Sequence, residues 1–266
     1  YTQILYRPFD IRHLFYHDAV IERGRREVMR HMLQPNLAII LPRRVETAIP
    51  WSHIFLSSHP VEHVAVSLKT IDYCFPLYLY EESGSGGSGR RSRFSRYQSM
   101  FVFEPRAEYS MRHANISSDL FLSLSNAYKD RPKPEDIFHY IYALLYSNAY
   151  RKKYAEFLKT DFPRVPFTKD YKLFKKLAEK GEELVELHLL QSKKLVKPIA
   201  KCEGSGDLRV EKVTYDQDKA RVHINPDKWF TGVPPEAWEY HIGGYQVLEK
   251  WLKDRKGREL SSEEVA

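Results

Sequence analysis

The spacing of apolar residues changes twice along this chain of 266 residues, and this limits the folds open to it. Up to about residue 80, short apolar segments alternate with turn residues, which is typical of strands. From Pro134 to about residue 191, apolar residues recur every three or four positions, as on one face of a helix. After residue 204 they alternate again. The sequence therefore predicts an α+β fold: a mixed β-sheet lobe, a helical subdomain, and a C-terminal hairpin followed by a helix.

The first lobe, which we place at residues 1–130, is predicted from short apolar segments and one helix. Residues 37–41 are all apolar and end at Pro42, as a buried strand does. A helix is predicted from about residue 22 to residue 33, where charged residues are frequent and Gly and Pro are absent after Gly24. Further strands are predicted at the apolar segments 4–6, 54–56, 64–66 and 75–80.

The helical subdomain is predicted at residues 131–203. Pro134, followed by Glu135 and Asp136, has the composition of a helix start, because Pro fits the first turn and acidic side chains favour the positive end of the helix. A second helix is predicted at about 149–159 and a third at about 170–191. Three consecutive helices indicate a spacer between other parts of the protein.

The C-terminal segment, residues 204–266, is predicted to contain a hairpin and a helix. Residues 208–213 and 220–224 alternate in polarity on either side of the turn residues 216–218. Gly243 and Gly244 then precede a predicted helix at 245–253. These two glycines fit either a helix start that binds a phosphate or a tight turn from strand to helix.

The Gly/Ser run at residues 84–89 interrupts the first lobe. Such a run lacks side chains that can pack and behaves as flexible coil. Its composition is typical of an engineered linker that replaces a native loop.

The chain is basic, with 42 Lys and Arg against 35 Asp and Glu, a formal net charge of +7 and a pI near 9.2. The excess lies between residues 83 and 201, where 23 Lys and Arg stand against 13 Asp and Glu. It suits a polyanionic partner such as nucleic acid, although solvated helix faces would produce the same balance.

Several classes of function are disfavoured. No segment approaches the roughly 18 consecutive apolar residues of a membrane span, so we expect a cytoplasmic protein with no membrane partner. Neither the Gly-x-x-x-x-Gly-Lys phosphate loop nor the Gly-x-Ser-x-Gly nucleophile turn occurs. Cys74 and Cys202 have no second cysteine at metal-binding spacing, and each is expected to be a small buried apolar side chain. We therefore predict no catalytic, cofactor or metal site in these residues.

Five sequence blocks, in this order, resemble one protein family. They are residues 6–12 (YRPFDIR), 75–80 (FPLYLY), 135–143 (EDIFHYIYA), 150–166 (ending in DFPRVP) and 238–253 (WEYHIGGYQVLEKWLK). Together they are similar to the C-terminal specificity domain of type ISP restriction-modification enzymes and of related adenine-specific DNA methyltransferases. The resemblance covers most of the chain and is lost around residues 81–125.

This resemblance implies a modular parent protein made of a nuclease, an ATP-driven translocase, an adenine-N6 methyltransferase and a target-recognition domain. S-adenosylmethionine, ATP and Mg²⁺ would belong to the upstream domains, and this chain would be non-catalytic. Its implied partners are double-stranded DNA and the upstream methyltransferase domain. The alternative function is a coupling module that docks onto that domain through the tyrosine-rich helix around Tyr140, Tyr142 and Tyr146.

Three groups of basic residues are candidates for DNA contact. Arg43 and Arg44 follow the buried strand and Pro42, so a rigid strand end would present them to guanine; pairing with Glu46 is the alternative. The second group has no acid among its members and suits phosphate contact, or is a solvated tail: Arg90, Arg91, Arg93 and Arg96. The third forms a basic strip in and after the last predicted helix: Lys250, Lys253, Arg255 and Lys256.

Overall fold

The computed structural model describes residues 1–17, 19–46, 49–81 and 112–265. Its strands are β1 (Thr2–Arg7), β2 (Asp10–Leu14), β3 (Ala38–Pro42), β4 (Phe55–Ser57), β5 (Asp72–Pro76), β6 (Tyr78–Tyr80), β7 (Arg112–Ala114), β8 (Lys201–Gly204), β9 (Thr214–Asp216), β10 (Arg221–Asn225), β11 (Lys228–Thr231), β12 (His241–Ile242) and β13 (Tyr245–Gln246). Its helices are α1 (Arg26–Met32), α2 (Ser118–Tyr128), α3 (Pro134–Tyr146), α4 (Asn148–Lys153), α5 (Ala155–Thr160), α6 (Tyr171–His188), α7 (Pro235–Trp238), α8 (Val247–Lys253) and α9 (Ser262–Val265).

The N-terminal hairpin of β1 and β2 turns at Phe9, which has a positive φ of 61°. Leu5 lies in the middle of β1 and is buried. Its backbone N–H donates to the carbonyl of Pro60, and its own carbonyl accepts from Glu62. The hairpin is thereby tied to the loop that follows β4.

The central sheet has the antiparallel order β4-β3-β5. All five residues of β3 are buried, which confirms the predicted strand. The predicted strand at 64–66 is wrong, because these residues form a turn. Val64 N and Ala65 N donate to Glu62, and Asp72 accepts from Val66 N and Ser67 N. The predicted strand at 75–80 divides into β5 and β6, and β6 pairs with β7 in a separate two-stranded sheet.

The helices pack on this sheet through one apolar cluster. It contains Ile39 and Leu41 of β3 together with Phe138, Tyr142 and Leu145 of α3. The predicted start at Pro134 is confirmed, and Asp136 accepts from the backbone N–H of Lys133 as part of the cap. The predicted second helix divides at Tyr154 into α4 and α5, and α2 was not predicted.

Helices α3 and α6 cross in close contact. Gly181 of α6 makes the approach possible, since a Cβ there would lie 1.9 Å from the carbonyl oxygen of His139. Asp170 caps α6 by accepting from the backbone N–H groups of Lys172 and Leu173. The third predicted helix is therefore confirmed, with its regular part ending at His188.

The C-terminal part has its own core around a sheet of order β8-β11-β10-β9. The predicted hairpin is confirmed only in its second strand, β10, which pairs with β9; the predicted first strand at 208–213 is wrong. Gly243 and Gly244 form the tight turn between β12 and β13. Gly243 has a φ of +59°, and a Cβ there would lie 1.9 Å from the carbonyl oxygen of Val66.

The α+β class is confirmed, with the strands distributed over several small antiparallel sheets. None of the helices formed by the described residues is long and apolar enough to cross a bilayer. The same residues contain no group of three or more His, Cys, Asp or Glu that could hold a metal ion. The predicted domain limits stay a prediction.

Candidate nucleic-acid interface

Arg43 and Arg44 lie where β3 leaves the sheet, and the backbone on both sides of them is fixed. Pro42 and Val45 are buried. Val45 N donates to the carbonyl of Lys159 over 3.0 Å. Thr70 Oγ1 donates to the carbonyl of Arg44 over 2.9 Å. The two arginines therefore project from an anchored strand end. A side chain that recognises a base needs such an anchored backbone, because its hydrogen bonds to the base edge require a fixed position.

The guanidinium of Arg43 is half-exposed and lies next to an acid. Its Nε donates to Asp161 Oδ1 over 2.8 Å, and the two side chains are 54% and 56% exposed. The hydrogen bond from Arg43 lowers the pKa of Asp161, and the same bond raises the pKa of Arg43. Because an exposed pair of this kind contributes little to stability, Arg43 can exchange Asp161 for another anion.

Arg44 is exposed, and no carboxylate among the described residues forms an ion pair with it. The predicted alternative was a surface pair with Glu46. In the structure Asp161 is the acid that binds this strand end, through Arg43. The strand end thus presents two guanidinium groups: that of Arg43, which is paired with Asp161, and that of Arg44, which has no ion pair among the described residues.

The neighbouring loop, residues 66–72, is organised by the carboxylate of Asp72. Its Oδ2 accepts from Val66 N over 2.6 Å and from Ser67 N over 3.2 Å. Burial raises the pKa of this carboxyl to about 7, and its Oδ1 has no partner. The loop carries the exposed Lys69 and the hydroxyl of Thr70 that fixes Arg44.

An aromatic edge adjoins Arg43. Tyr73 and Phe75, on the outer face of β5, are 45% and 41% exposed. Their rings meet Phe162 edge-on, with centroids 5.1 and 5.5 Å apart, and Phe162 lies 6.0 Å from the Arg43 guanidinium carbon. This edge was not predicted from the sequence, because residues 72–76 show no alternation of polar and apolar residues that would mark an exposed face.

The four basic residues of the predicted C-terminal strip lie in different environments in the structure. Lys250 pairs with Asp254, and Lys253 pairs with Glu249 over 2.9 Å, so both are helix-surface ion pairs. Lys256 is exposed without an ion pair among the described residues.

Arg255 requires a correction. Its side chain is 9% exposed, its Nη2 donates to Asp10 over 3.0 Å, and its Nε donates to Glu264 over 2.7 Å. The guanidinium lies 3.5 Å from the ring centroid of Trp251. This buried group has no surface to offer a phosphate, and we withdraw it from the candidates.

Two further predictions concern other parts of the chain, and the first of them stays a prediction. Arg90, Arg91, Arg93 and Arg96, like the Gly/Ser run at 84–89, lie outside the described residues. The tyrosine-rich helix is not a docking surface, because Tyr140 is 2% exposed, Tyr142 is fully buried, and Tyr146 is turned inward to the carbonyl of Ile54.

Solved structures with this fold include DNA complexes of much larger chains. The DrdV–DNA complex, determined by cryo-electron microscopy, is 24% identical with a TM-score of 0.72, over 97% of this chain and 24% of that one. The ATP-dependent Type ISP restriction-modification enzyme LlaBIII bound to DNA is 21% identical with a TM-score of 0.70, over 99% of this chain and 16% of that one.

A nuclease-deletion mutant of the Type ISP enzyme LlaGI, in complex with a DNA substrate mimic, is 21% identical with a TM-score of 0.66, over 99% of this chain and 21% of that one. This chain thus spans less than a quarter of the length of each of the three solved chains. A comparison with curated protein sequences gives no significant match. The sequence profile of the Type ISP C-terminal specificity domain matches residues 1–266. The chain therefore belongs to the family of Type ISP C-terminal specificity domains.

Proposed function

We propose that this chain recognises a specific sequence in double-stranded DNA, as the target-recognition part of a bacterial restriction-modification enzyme. Membership in a specificity-domain family supports this, as do the DNA complexes formed by three proteins of the same fold. The observation that carries the proposal is the pair of exposed arginines, Arg43 and Arg44, on an anchored strand end.

The chemistry of the two arginines fits base reading. A guanidinium group can donate two parallel hydrogen bonds to O6 and N7 of guanine in the major groove. This geometry requires a fixed backbone, which the bonds at Val45 and Arg44 supply. Lys69 and Lys256 would contact phosphates, which add affinity without sequence information.

The parent protein's activity belongs to this proposal as well. We place adenine-N6 methyl transfer, with S-adenosylmethionine, in an upstream methyltransferase domain, and ATP and Mg²⁺ in upstream motor and nuclease domains. This chain would direct them to their site in the cytoplasm. It would itself make no covalent change to DNA.

The test is sequence selection followed by substitution. The chain is first incubated with a randomised duplex library, and the enriched duplex is then compared with a scrambled one by fluorescence anisotropy. For the unaltered chain, the difference in binding free energy between the two duplexes measures discrimination. Arg43→Gln and Arg44→Gln are each expected to reduce this difference by about 1–3 kcal/mol, if each arginine reads one base.

The matched control is Arg209→Gln, because Arg209 also forms an exposed pair, with Glu259 over 3.3 Å. It is expected to leave discrimination unchanged. If the library yields no enriched sequence, or if both strand-end variants discriminate as well as the unaltered chain, the proposal fails.

A second candidate function, docking onto the methyltransferase domain, is favoured by an apolar cleft beside the aromatic edge. The cleft is lined by residues from β3, β5, α3 and the loop after α5: Ile39, Leu41, Phe75, Phe138, Phe162 and Val165. Phe75 is 41% exposed, whereas Ile39, Leu41 and Phe138 are buried. An exposed aromatic ring beside an apolar cleft is typical of protein contacts. Phe162→Ser is expected to weaken binding to a methyltransferase fragment more than binding to DNA, which a pull-down run beside the anisotropy assay would measure.

A further inference from the structure

The four-stranded sheet β8-β11-β10-β9 has one face in the C-terminal core and one face turned away from it. Val222 and Ile224 of β10 belong to the core, together with Phe230 of β11. Residues directly opposite each other in an antiparallel pair share a face. The other face therefore carries the intervening residues Arg221 and His223, and the register places Thr231 and Trp229 opposite them.

Arg221 is held on this outer face by an aromatic ring. Its guanidinium carbon lies 5.0 Å from the ring centroid of Trp229, and the ring of His223 lies 5.6 Å from the same indole. An arginine stacked in this way has lost much of its rotamer freedom before it meets a ligand.

The guanidinium of Arg221 forms no ion pair within the part of the chain that the structure describes, although Asp216 lies opposite it. Its cross-strand neighbour Asp216 binds Lys219 instead. Asp216 Oδ2 lies 3.6 Å from Lys219 Nζ, and Asp216 Oδ1 accepts a hydrogen bond from the backbone N–H of Lys219. Arg221 Nε and Trp229 Nε1 are buried donors without a partner. The outer face therefore carries a guanidinium charge that no ion pair among the described residues neutralises.

Lysines extend this charge along the edge of the sheet. Lys201 of β8 is exposed and lies opposite Thr231, which in turn lies opposite Arg221. Lys201 is therefore two strand spacings, about 10 Å, from Arg221. The segment leading into β8 is exposed and contains no acid between residues 191 and 202. Its lysines are Lys193, Lys194 and Lys197, of which Lys194 pairs with Glu183 over 3.3 Å.

We propose that this outer face is a second DNA-contact surface, on which Arg221 and Lys201 bind phosphates of the duplex backbone. The inference rests on the proposed function and adds to it, because this surface is formed by other strands than those that present Arg43 and Arg44. Phosphate is the ligand that suits the site: a stacked guanidinium and an ammonium without counter-ions bind it strongly and release condensed counter-ions from the DNA.

A second acid on the same face, besides Asp216, gives the proposal an additional test. Glu203 of β8 is exposed and lies opposite Trp229, so its carboxylate faces the same solvent as Arg221. If a phosphate backbone crosses this face, Glu203 repels it. Glu203→Gln is then expected to tighten DNA binding, an effect that general damage to the fold would not produce.

The experiment measures anisotropy of a 30-base-pair duplex with the chain at several KCl concentrations. Arg221→Gln and Lys201→Gln are each expected to weaken binding about eightfold near 0.1 M salt, for enriched and scrambled duplexes alike, and to reduce the salt slope by about one. Glu203→Gln is expected to strengthen binding about twofold or more. Lys172→Gln, on α6 and exposed like Lys201, is the matched control and is expected to bind as the unaltered chain does.

The outcomes separate the two proposals. If the unaltered chain binds no duplex at 50 mM salt, both the proposed function and this inference fail. If it binds and discriminates through Arg43 or Arg44, while Arg221→Gln and Lys201→Gln leave affinity and salt slope unchanged, the second surface alone is ruled out. Because Lys201 is exposed, its substitution tests the surface even if Arg221→Gln disturbs the sheet.

Discussion

Arg255 and Asp10 form a buried ion pair that joins two parts of the chain 245 positions apart. The atoms Arg255 Nη2 and Asp10 Oδ1 are 3.0 Å apart, and the side chains are 9% and 1% exposed. Asp10 is the first residue of β2, and Arg255 follows α8. The N-terminal hairpin is therefore fixed directly to the C-terminal core.

We predict that Arg255→Met lowers the free energy of unfolding by about 3 kcal/mol, because it leaves a buried carboxylate without one of its cationic partners. Arg12 remains, with Nη2 at 2.8 Å from Asp10 Oδ2. Urea unfolding followed by tryptophan fluorescence measures the change. Arg209→Gln, which removes an exposed pair, serves as the control and is expected to cost less than about 1 kcal/mol. Equal effects of the two substitutions would contradict the structural role of Arg255.

The parts of the fold that local signals determine were predictable from the sequence. Pro134 with two following acids marks the start of α3, and the apolar run before Pro42 marks β3. Residues 64–66 also look like a strand, but hydrogen bonds to Glu62 and to Asp72, on either side of them, hold them in a turn. No periodicity in residues 64–66 contains that information. The same holds for the break between α4 and α5 at Tyr154.

Asp72 is expected to make the protein less stable as the pH rises. Burial raises the pKa of its carboxyl to about 7, above the ordinary value of 3.8. Between about pH 4 and pH 7 the folded state therefore holds a proton that the unfolded state has released. Stability contributed by this group is complete below pH 4 and is lost toward pH 7, at up to about 1.4 kcal/mol per pH unit. Asp72→Asn should remove this slope, measured by urea unfolding at a series of pH values; an unchanged slope would exclude Asp72 as its origin.

His53 and His188 are expected to have the opposite effect. Burial, with a smaller contribution from the charge of Arg151, lowers the pKa of each imidazole to about 4, from 6.5. Below pH 6.5 these two imidazoles are protonated in the unfolded state, whereas in the folded state they stay neutral down to about pH 4. The stability these groups contribute is thus complete above pH 6.5 and is lost as the pH falls toward 4.

His188→Gln tests this, because the glutamine cannot titrate and can still bond to Tyr142 in place of His188 Nδ1, which lies 2.7 Å from the tyrosine oxygen. We expect it to reduce the loss of stability between pH 6.5 and pH 4, as followed by thermal unfolding in matched buffers. His63→Gln is the control, since the His63 side chain is 72% exposed. If both substitutions leave the loss of stability between pH 6.5 and pH 4 unaltered, the buried histidines are not its cause.

The candidate site could be predicted only in part. Arg43 and Arg44 are found from sequence because the features that present them, β3 and Pro42, are adjacent in the chain. Arg255 was assigned to the same role because its neighbours are basic, and only the fold shows that Asp10 and Trp251 enclose it. The aromatic edge and the stack of Arg221 on Trp229 depend on pairings between separate segments, which one sequence does not reveal.

Asp161 competes with DNA for Arg43 if the proposed function is correct. Its carboxylate accepts from Arg43 Nε over 2.8 Å and also repels any phosphate near the strand end. Asp161→Asn is therefore expected to tighten binding to the enriched duplex about threefold or more at low salt. The gain should be smaller for a scrambled duplex, because the released Arg43 reads a base of the enriched sequence.

Glu156→Gln is the matched control for this effect. Glu156 lies on the neighbouring helix α5, is 84% exposed and pairs with Lys159, so its substitution removes the same charge from the same region without touching Arg43. A general electrostatic effect would make the two variants equal on both duplexes, because phosphate attraction is independent of sequence. A larger gain for Asp161→Asn on the enriched duplex alone would identify the released Arg43 as the cause, and anisotropy titrations of both variants against both duplexes distinguish these results.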